Sequence, residues 1–88
     1  MRQLRNFTEE TIRLFVEKEF PAYDICQCED CRLDVIALML NEFKPHYIVT
    51  EKGALYAQIE EVFDPQYKID LMSSMASAVD IVKDSPRH

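Results

Sequence analysis

Cys26, Cys28 and Cys31 fall within six positions, in the run Asp24-Ile-Cys-Gln-Cys-Glu-Asp-Cys-Arg32, and they are the only cysteines of the chain. Three thiolates on one tight loop suit a thiophilic cation such as Zn²⁺, which takes four ligands in a structural site. The chain offers three obvious ligands, so the source of the fourth is the main chemical question. Two other uses remain open: reduced, partly buried thiols at the start of a helix, and redox sensing. Glu29 and Asp30 flank Cys31 and are expected to raise the thiol pKa values, which works against bare reactivity. Cys26 and Cys28 stand too close for an easy mutual disulfide. An odd cysteine count, with no apolar signal region after Met1, argues for a reducing cytoplasm rather than a disulfide framework.

The elements that must position these thiols follow from apolar spacing. Asn6 is placed to cap a first helix, with Glu9 three residues on as in a capping box. Phe7, Ile12, Phe15, Val16 and Phe20 recur at close to helical spacing, and Pro21 ends the helix just before the cysteine loop. A second helix is expected from Glu29 or Asp30 to about Phe43, with a stripe of Leu33, Ile36, Ala37 and Leu40, before Pro45. Tyr47-Ile-Val49 is too short and too β-branched for a helix and reads as an extended segment. Thr50-Glu-Lys-Gly53 then reads as a turn, with Gly53 as its positive-φ residue. A third helix carries Leu55, Ile59, Val62 and Phe63 and ends before Pro65. A fourth runs from about Tyr67 to Lys83. It has two apolar stripes: Tyr67, Leu71, Met75, Ala78 and Val82 on one side, and Ile69, Met72, Ala76 and Val79 on another. The second is either a dimer surface or the far side of a helix packed on both faces.

With 88 residues the chain is one small domain, spanning 1–88, whose burial alone leaves a thin stability margin. A metal staple or a dimer interface would widen it. No apolar run approaches the roughly 20 residues of a membrane span, so no membrane insertion is expected. The net charge of −6 disfavours electrostatic binding of a DNA or RNA polymer. No Ser/His/Asp set, no phosphate-binding glycine loop and no carboxylate pair with separated pKa values is visible, which argues against an enzyme.

The order Cys26-Gln-Cys-Glu-Asp-Cys31, Asp34-Val-Ile-Ala-Leu38, Asn41, Lys44-Pro-His-Tyr47, Val49-Thr-Glu-Lys-Gly53 and Tyr56 resembles the late competence development protein ComFB family. The match is best over residues 20–60, and the tail Ser85-Pro-Arg-His88 is similar to the endings of some bacterial members. The resemblance implies a small, mainly helical, cytoplasmic bacterial protein that forms a homodimer. It further implies that some members hold a structural zinc through cysteines, one of them in the C-terminal helix. Others, notably cyanobacterial relatives, are receptors for cyclic dinucleotides, chiefly cyclic di-GMP. This sequence departs from the zinc pattern, because its last helix has no cysteine. Asp80, His88 or His46 could supply the fourth ligand, as could a water or a partner-chain residue.

With a cyclic dinucleotide in view, a second set of residues gains meaning: Asn41, Lys44, Tyr47, Thr50, Lys52, Gly53 and Tyr56, with Arg32, Arg87 and Lys83 in reserve. Two phosphates call for charge-assisted donors and two purines call for stacking planes. The structural alternative gives Asn41 to the end of the second helix, Pro45 and Gly53 to the turn, and both tyrosines to the core. The fold expected is all-α or nearly so: a four-to-five-helix single domain with a short extended segment near residues 47–49, forming a homodimer. The leading functional expectation is a non-enzymatic module that binds a cyclic dinucleotide and relays it to an unidentified protein partner. The alternative is a zinc-stabilised interaction protein linked to late competence, with no small-molecule ligand.

Overall fold

The computed structural model describes residues 2–51 and 65–85. The element order is β1 (Arg2–Asn6), α1 (Phe7–Glu19), a 3₁₀ segment (Phe20–Ala22), α2 (Glu29–Leu40), β2 (Tyr47–Glu51) and α3 (Pro65–Asp84). The expected helix around Leu55 to Phe63 and the glycine turn at Gly53 lie outside the described residues. Among the described residues, no helix is long and apolar enough to cross a membrane.

Helix α1 starts where Asn6 leaves the extended conformation. Its Oδ1 accepts from the backbone N–H of Thr8 at 3.1 Å and of Glu9 at 3.5 Å, satisfying donors that the first helical turn cannot. The reciprocal half of the capping box is not made, because the Glu9 carboxylate turns to Arg13 at 3.3 Å. Pro21 falls in the 3₁₀ segment that ends the helix, and Phe20 beside it is buried.

Three helical faces meet in one core: Ile12, Phe15, Val16 and Phe20 from the first stretch, Cys31, Val35, Ile36 and Met39 from α2, and Leu71, Met75, Ala78, Val79 and Val82 from α3. The α2 face differs from the expected stripe. Ala37 is exposed, while Val35 and Met39 are fully buried. From Leu33 to Leu40 nearly every residue of α2 is apolar, so spacing alone could not choose its face. Helix α2 also ends at Leu40, earlier than expected, with Asn41 as its C-cap.

On α3 the two stripes separate. Leu71, Met75, Ala78 and Val82 are buried and Tyr67 is half-buried, whereas Ile69, Met72 and Ala76 face solvent. Val79, expected on the outer stripe, is instead a core residue at 4% exposure.

The chain is mostly helical as expected, but it also holds a two-stranded antiparallel sheet whose first strand was not anticipated. Its register pairs Asn6 with Tyr47, Leu4 with Val49 and Arg2 with Glu51. Residues opposite each other share a face, so Leu4, Tyr47 and Val49 lie together on the outer side, where all three are exposed. Gln3, Arg5 and Ile48 lie on the inner side and are half-buried. On β1, Leu4 outward with Gln3 and Arg5 inward is the reverse of the usual strand signal. Thr50 and Glu51 extend β2 in place of the turn expected to begin at Thr50.

Candidate metal centre

The cysteine loop is built by local hydrogen bonds. After Pro21, the Tyr23 N–H donates to the Phe20 carbonyl at 3.1 Å, and the Ile25 N–H donates to the Tyr23 carbonyl at 3.0 Å. The Gln27 amide then gathers three carbonyls, donating from Nε2 to Phe20 at 3.2 Å, Tyr23 at 3.3 Å and Ile25 at 3.1 Å. Gln27 stands between two of the cysteines, and its amide folds over the loop from the exposed side, tying the turn that carries them. Nothing in the sequence distinguishes this glutamine from any other surface glutamine.

Cys28 then starts α2 as its N-cap, with φ −71° and ψ 161°, and its Sγ accepts from the Cys31 N–H at 3.4 Å. Glu29 and Asp30 occupy the first turn, where the helix dipole favours carboxylates. The depth of the thiols is graded: Cys26 is exposed, Cys28 half-buried and Cys31 buried. None is in a disulfide, and the three Sγ atoms lie within 4.8 Å of one another.

The thiols differ electrostatically as well as in depth. The backbone hydrogen bond from Cys28, then the Cys28 thiol, hold Cys26 below the usual thiol range, against the pull of burial. Burial pushes Cys31 up to about 12, and its hydrogen bonds to and repulsion from Cys28 and then Cys26 reinforce the shift. The expectation that Glu29 and Asp30 raise the thiols therefore fails for Cys26, and Cys31 rises for other reasons.

The donor set fits zinc. A tetrahedral centre with Zn–S bonds of about 2.3 Å separates its sulfurs by about 3.8 Å, so these sulfurs need only close in slightly. Among the described residues, Asp80 is not part of the cluster. It is exposed on α3, one turn before Lys83. Lys83 reaches the Asp24 carboxylate at 3.6 Å, which sets the cysteine loop beside the C-terminal end of α3. Both side chains are largely in solvent, so this pair locates the loop more than it stabilises it. His88 lies outside the described residues. His46 is exposed and packs edge-on against Phe7, with centroids 5.9 Å apart.

The second constellation is only partly assembled. The stretch from Lys44 to Tyr47 is pinned to the start of α1: the Thr8 hydroxyl donates to the Lys44 carbonyl at 2.8 Å, the Phe7 N–H to the His46 carbonyl at 2.6 Å, and the His46 N–H to Asn6 Oδ1 at 3.1 Å. Lys44 and His46 border a cleft of about 490 Å³, with Phe7, Phe43, Ile48 and Tyr67 as its apolar walls. Phe43 and Tyr67 meet edge to face at 6.0 Å. Tyr47 points away at 64% exposure, which overturns its placement in the core. Arg32 borders a different depression, with Arg13, Glu17 and Ile36. Asn41 is exposed at the end of α2, as the structural alternative has it. Lys52, Gly53, Tyr56 and Arg87 lie outside the described residues.

A family model described as "Late competence development protein ComFB" matches residues 5–86. The chain belongs to the ComFB family. The Competence protein ComFB of Bacillus subtilis (strain 168) is 34% identical over 61 residues, which is 69% of this chain and 61% of that relative. The aligned part thus spans under two thirds of the relative's length. A solved structure, described as a structural characterization of the late competence protein ComFB from Bacillus subtilis, has a TM-score of 0.81 at 26% identity. It covers 96% of this chain and 94% of that one, so this ComFB-family chain shares its fold over nearly the whole length.

Proposed function

We propose that this chain is a non-enzymatic, zinc-stapled interaction module of late competence, cytoplasmic and homodimeric, that docks a protein partner. The observation that carries the reading is the convergence of three cysteine sulfurs within 4.8 Å at the start of α2. The Asp24–Lys83 contact, which sets their loop beside the end of α3, adds to it. When bound, zinc supplies a cross-link that a domain of this size can use in place of a larger core. Cys26, Cys28 and Cys31 hold it, and Asp80, His88, a water or a partner-chain residue closes the fourth position. The exposed stripe of Ile69, Met72 and Ala76 on α3 supports self-association. The names of its relatives support the link to late competence.

The test is elemental analysis of the purified protein together with the melting temperature of Cys28→Ser. About one zinc per chain and a lowered melting temperature are expected for a site that contributes folding energy. Protein that is metal-free and equally stable would remove the reading.

A second reading, reception of a cyclic dinucleotide, is favoured by one feature, the cleft that joins Lys44 and His46 to the rings of Phe7, Phe43 and Tyr67. Rings offer stacking and a lysine offers a phosphate contact. Calorimetric titration with cyclic di-GMP, with cyclic di-AMP and GTP as controls, decides it. Saturable binding that Lys44→Ala weakens supports it, and no heat with any of the three rejects it.

A further inference from the structure

We propose that Cys28 and Cys31 form a dithiol–disulfide pair, closed by a hydroperoxide that enters through Cys26, and that closing it opens the metal centre. The consequence for the metal rests on the zinc reading above. The disulfide chemistry rests on local geometry alone.

Cys28 and Cys31 are the N-cap and third residue of α2. Residues three apart at a helix start have Cα atoms about 5 Å apart, from the rise and radius of the helix. That lies inside the window of about 4.4–6.8 Å a disulfide requires. Helical side chains tilt toward the N-terminus, so the Cys31 thiol leans back toward Cys28, and the Cys31 N–H already donates to Cys28 Sγ at 3.4 Å. With the sulfurs within 4.8 Å, side-chain rotation suffices to join them. Cys26 precedes the helix, so helical spacing does not set its distance to the other two.

Depth sets the order of reaction. Cys31 is 2% exposed and shielded, whereas Cys26 is in solvent and meets the oxidant first. The Cys26 thiolate attacks the peroxide, breaking the O–O bond. Cys26 becomes a sulfenic acid, and the departing hydroxide is protonated to water. The Cys28 thiol then attacks the Cys26 sulfur, and the sulfenic oxygen leaves as a second water. A bond between residues separated by one position is strained and therefore labile. The Cys31 thiol takes over the Cys28 sulfur, returning Cys26 as a thiol. In sum, two thiols and one hydroperoxide give one disulfide and two waters when the oxidant is hydrogen peroxide. The closed pair removes two of the three sulfurs from the metal, and Cys26 with the fourth ligand would offer only half of the four donors a structural zinc takes.

The experiment treats the full chain, as purified under reducing conditions, with one equivalent of hydrogen peroxide. It follows zinc release with a colorimetric chelator and maps disulfides by mass spectrometry after alkylation. A short exposure with a sulfenic-acid trap identifies the first residue oxidised. The proposal expects a Cys28–Cys31 bond, trap adduct on Cys26, release of the bound zinc, and recovery after reduction and zinc addition. A final bond that includes Cys26, a bond between chains, or trap adduct confined to Cys28 or Cys31 overturns it, as does release of zinc without any disulfide. Protein that carries no zinc before oxidation removes the zinc reading instead, and the mapping on that protein still decides the disulfide.

Discussion

Asn6 serves two parts of the fold with one side chain, and replacing it by alanine measures both. Its Oδ1 accepts from Thr8 N–H and, at longer range, from Glu9 N–H, and it also accepts from His46 N–H, so β2 is latched to the start of α1. Loss of a helix N-cap typically costs about 1 kcal/mol. The bond to His46 is in an exposed part of the chain where water can substitute, so its net worth is put at about 0.5 kcal/mol, the low end for a hydrogen bond. Asn6→Ala should therefore lose about 1.5 kcal/mol, which at 4–8 °C per kcal/mol for a small domain is a drop of roughly 6–12 °C in Tm. Asn6→Asp keeps the acceptor, adds a charge the helix dipole favours, and should stay within about 0.5 kcal/mol of the parent. The assay is urea unfolding followed by far-ultraviolet circular dichroism, at fixed protein and zinc concentrations. A shifted midpoint at unchanged slope is expected. A loss under about 0.5 kcal/mol for the alanine, or an aspartate as weak as the alanine, would refute the reasoning, since cap and latch would then contribute nothing.

Gln27→Ala removes the donor shared by three loop carbonyls and should cost about 1 kcal/mol while weakening zinc binding in a competition titration; an unchanged zinc affinity would mean that the metal alone shapes the loop. Zinc added to chelator-stripped protein near neutral pH should displace the Cys31 proton, because its thiol is held up to about 12 in the metal-free chain. Calorimetric enthalpies that do not vary with the ionisation enthalpy of the buffer would contradict this. Met72→Glu should give a folded monomer by light scattering, and an unchanged dimer mass would move the interface elsewhere. Val79→Glu should unfold the domain rather than split a dimer, because it puts an unpaired charge into the core; a cooperative thermal transition equal to the parent's would contradict that placement.

The helical part of this fold could be read from the sequence wherever one face alone is apolar. Phe7, Ile12, Phe15 and Val16 stand at helical spacing between polar residues, and all are buried. On α3 both stripes were legible as helical, but with two apolar faces the spacing could not say that the one through Leu71, Met75, Ala78 and Val82 is the buried one. Helix α2 was legible as a helix but not in its orientation, since an apolar surface on all sides carries no direction. Strand β1 was hidden because its alternation is inverted: Leu4 faces water and Arg5, paired with Glu10, faces inward. The cysteine cluster was evident from residue types at short range, because a CxCxxC run leaves the sulfurs little room to separate. What sequence could not supply was the difference among the thiols. That depends on Cys31 entering the core on α2 while Cys26 stays on the loop.

The β1–β2 ribbon also has a consequence for how the chain is made. The latch joins Asn6 to His46, 40 residues further on. At a synthesis rate of about 5–20 residues per second, the first strand waits about 2–8 s for its partner to be made. Helix α1 can form within microseconds of emerging. For those seconds the nascent chain carries an unpaired strand, with its backbone donors open to any neighbouring extended segment. Arg2 shares a face with the exposed Leu4 in that strand, and a positive charge on an unpaired strand discourages its pairing with a second copy until β2 arrives.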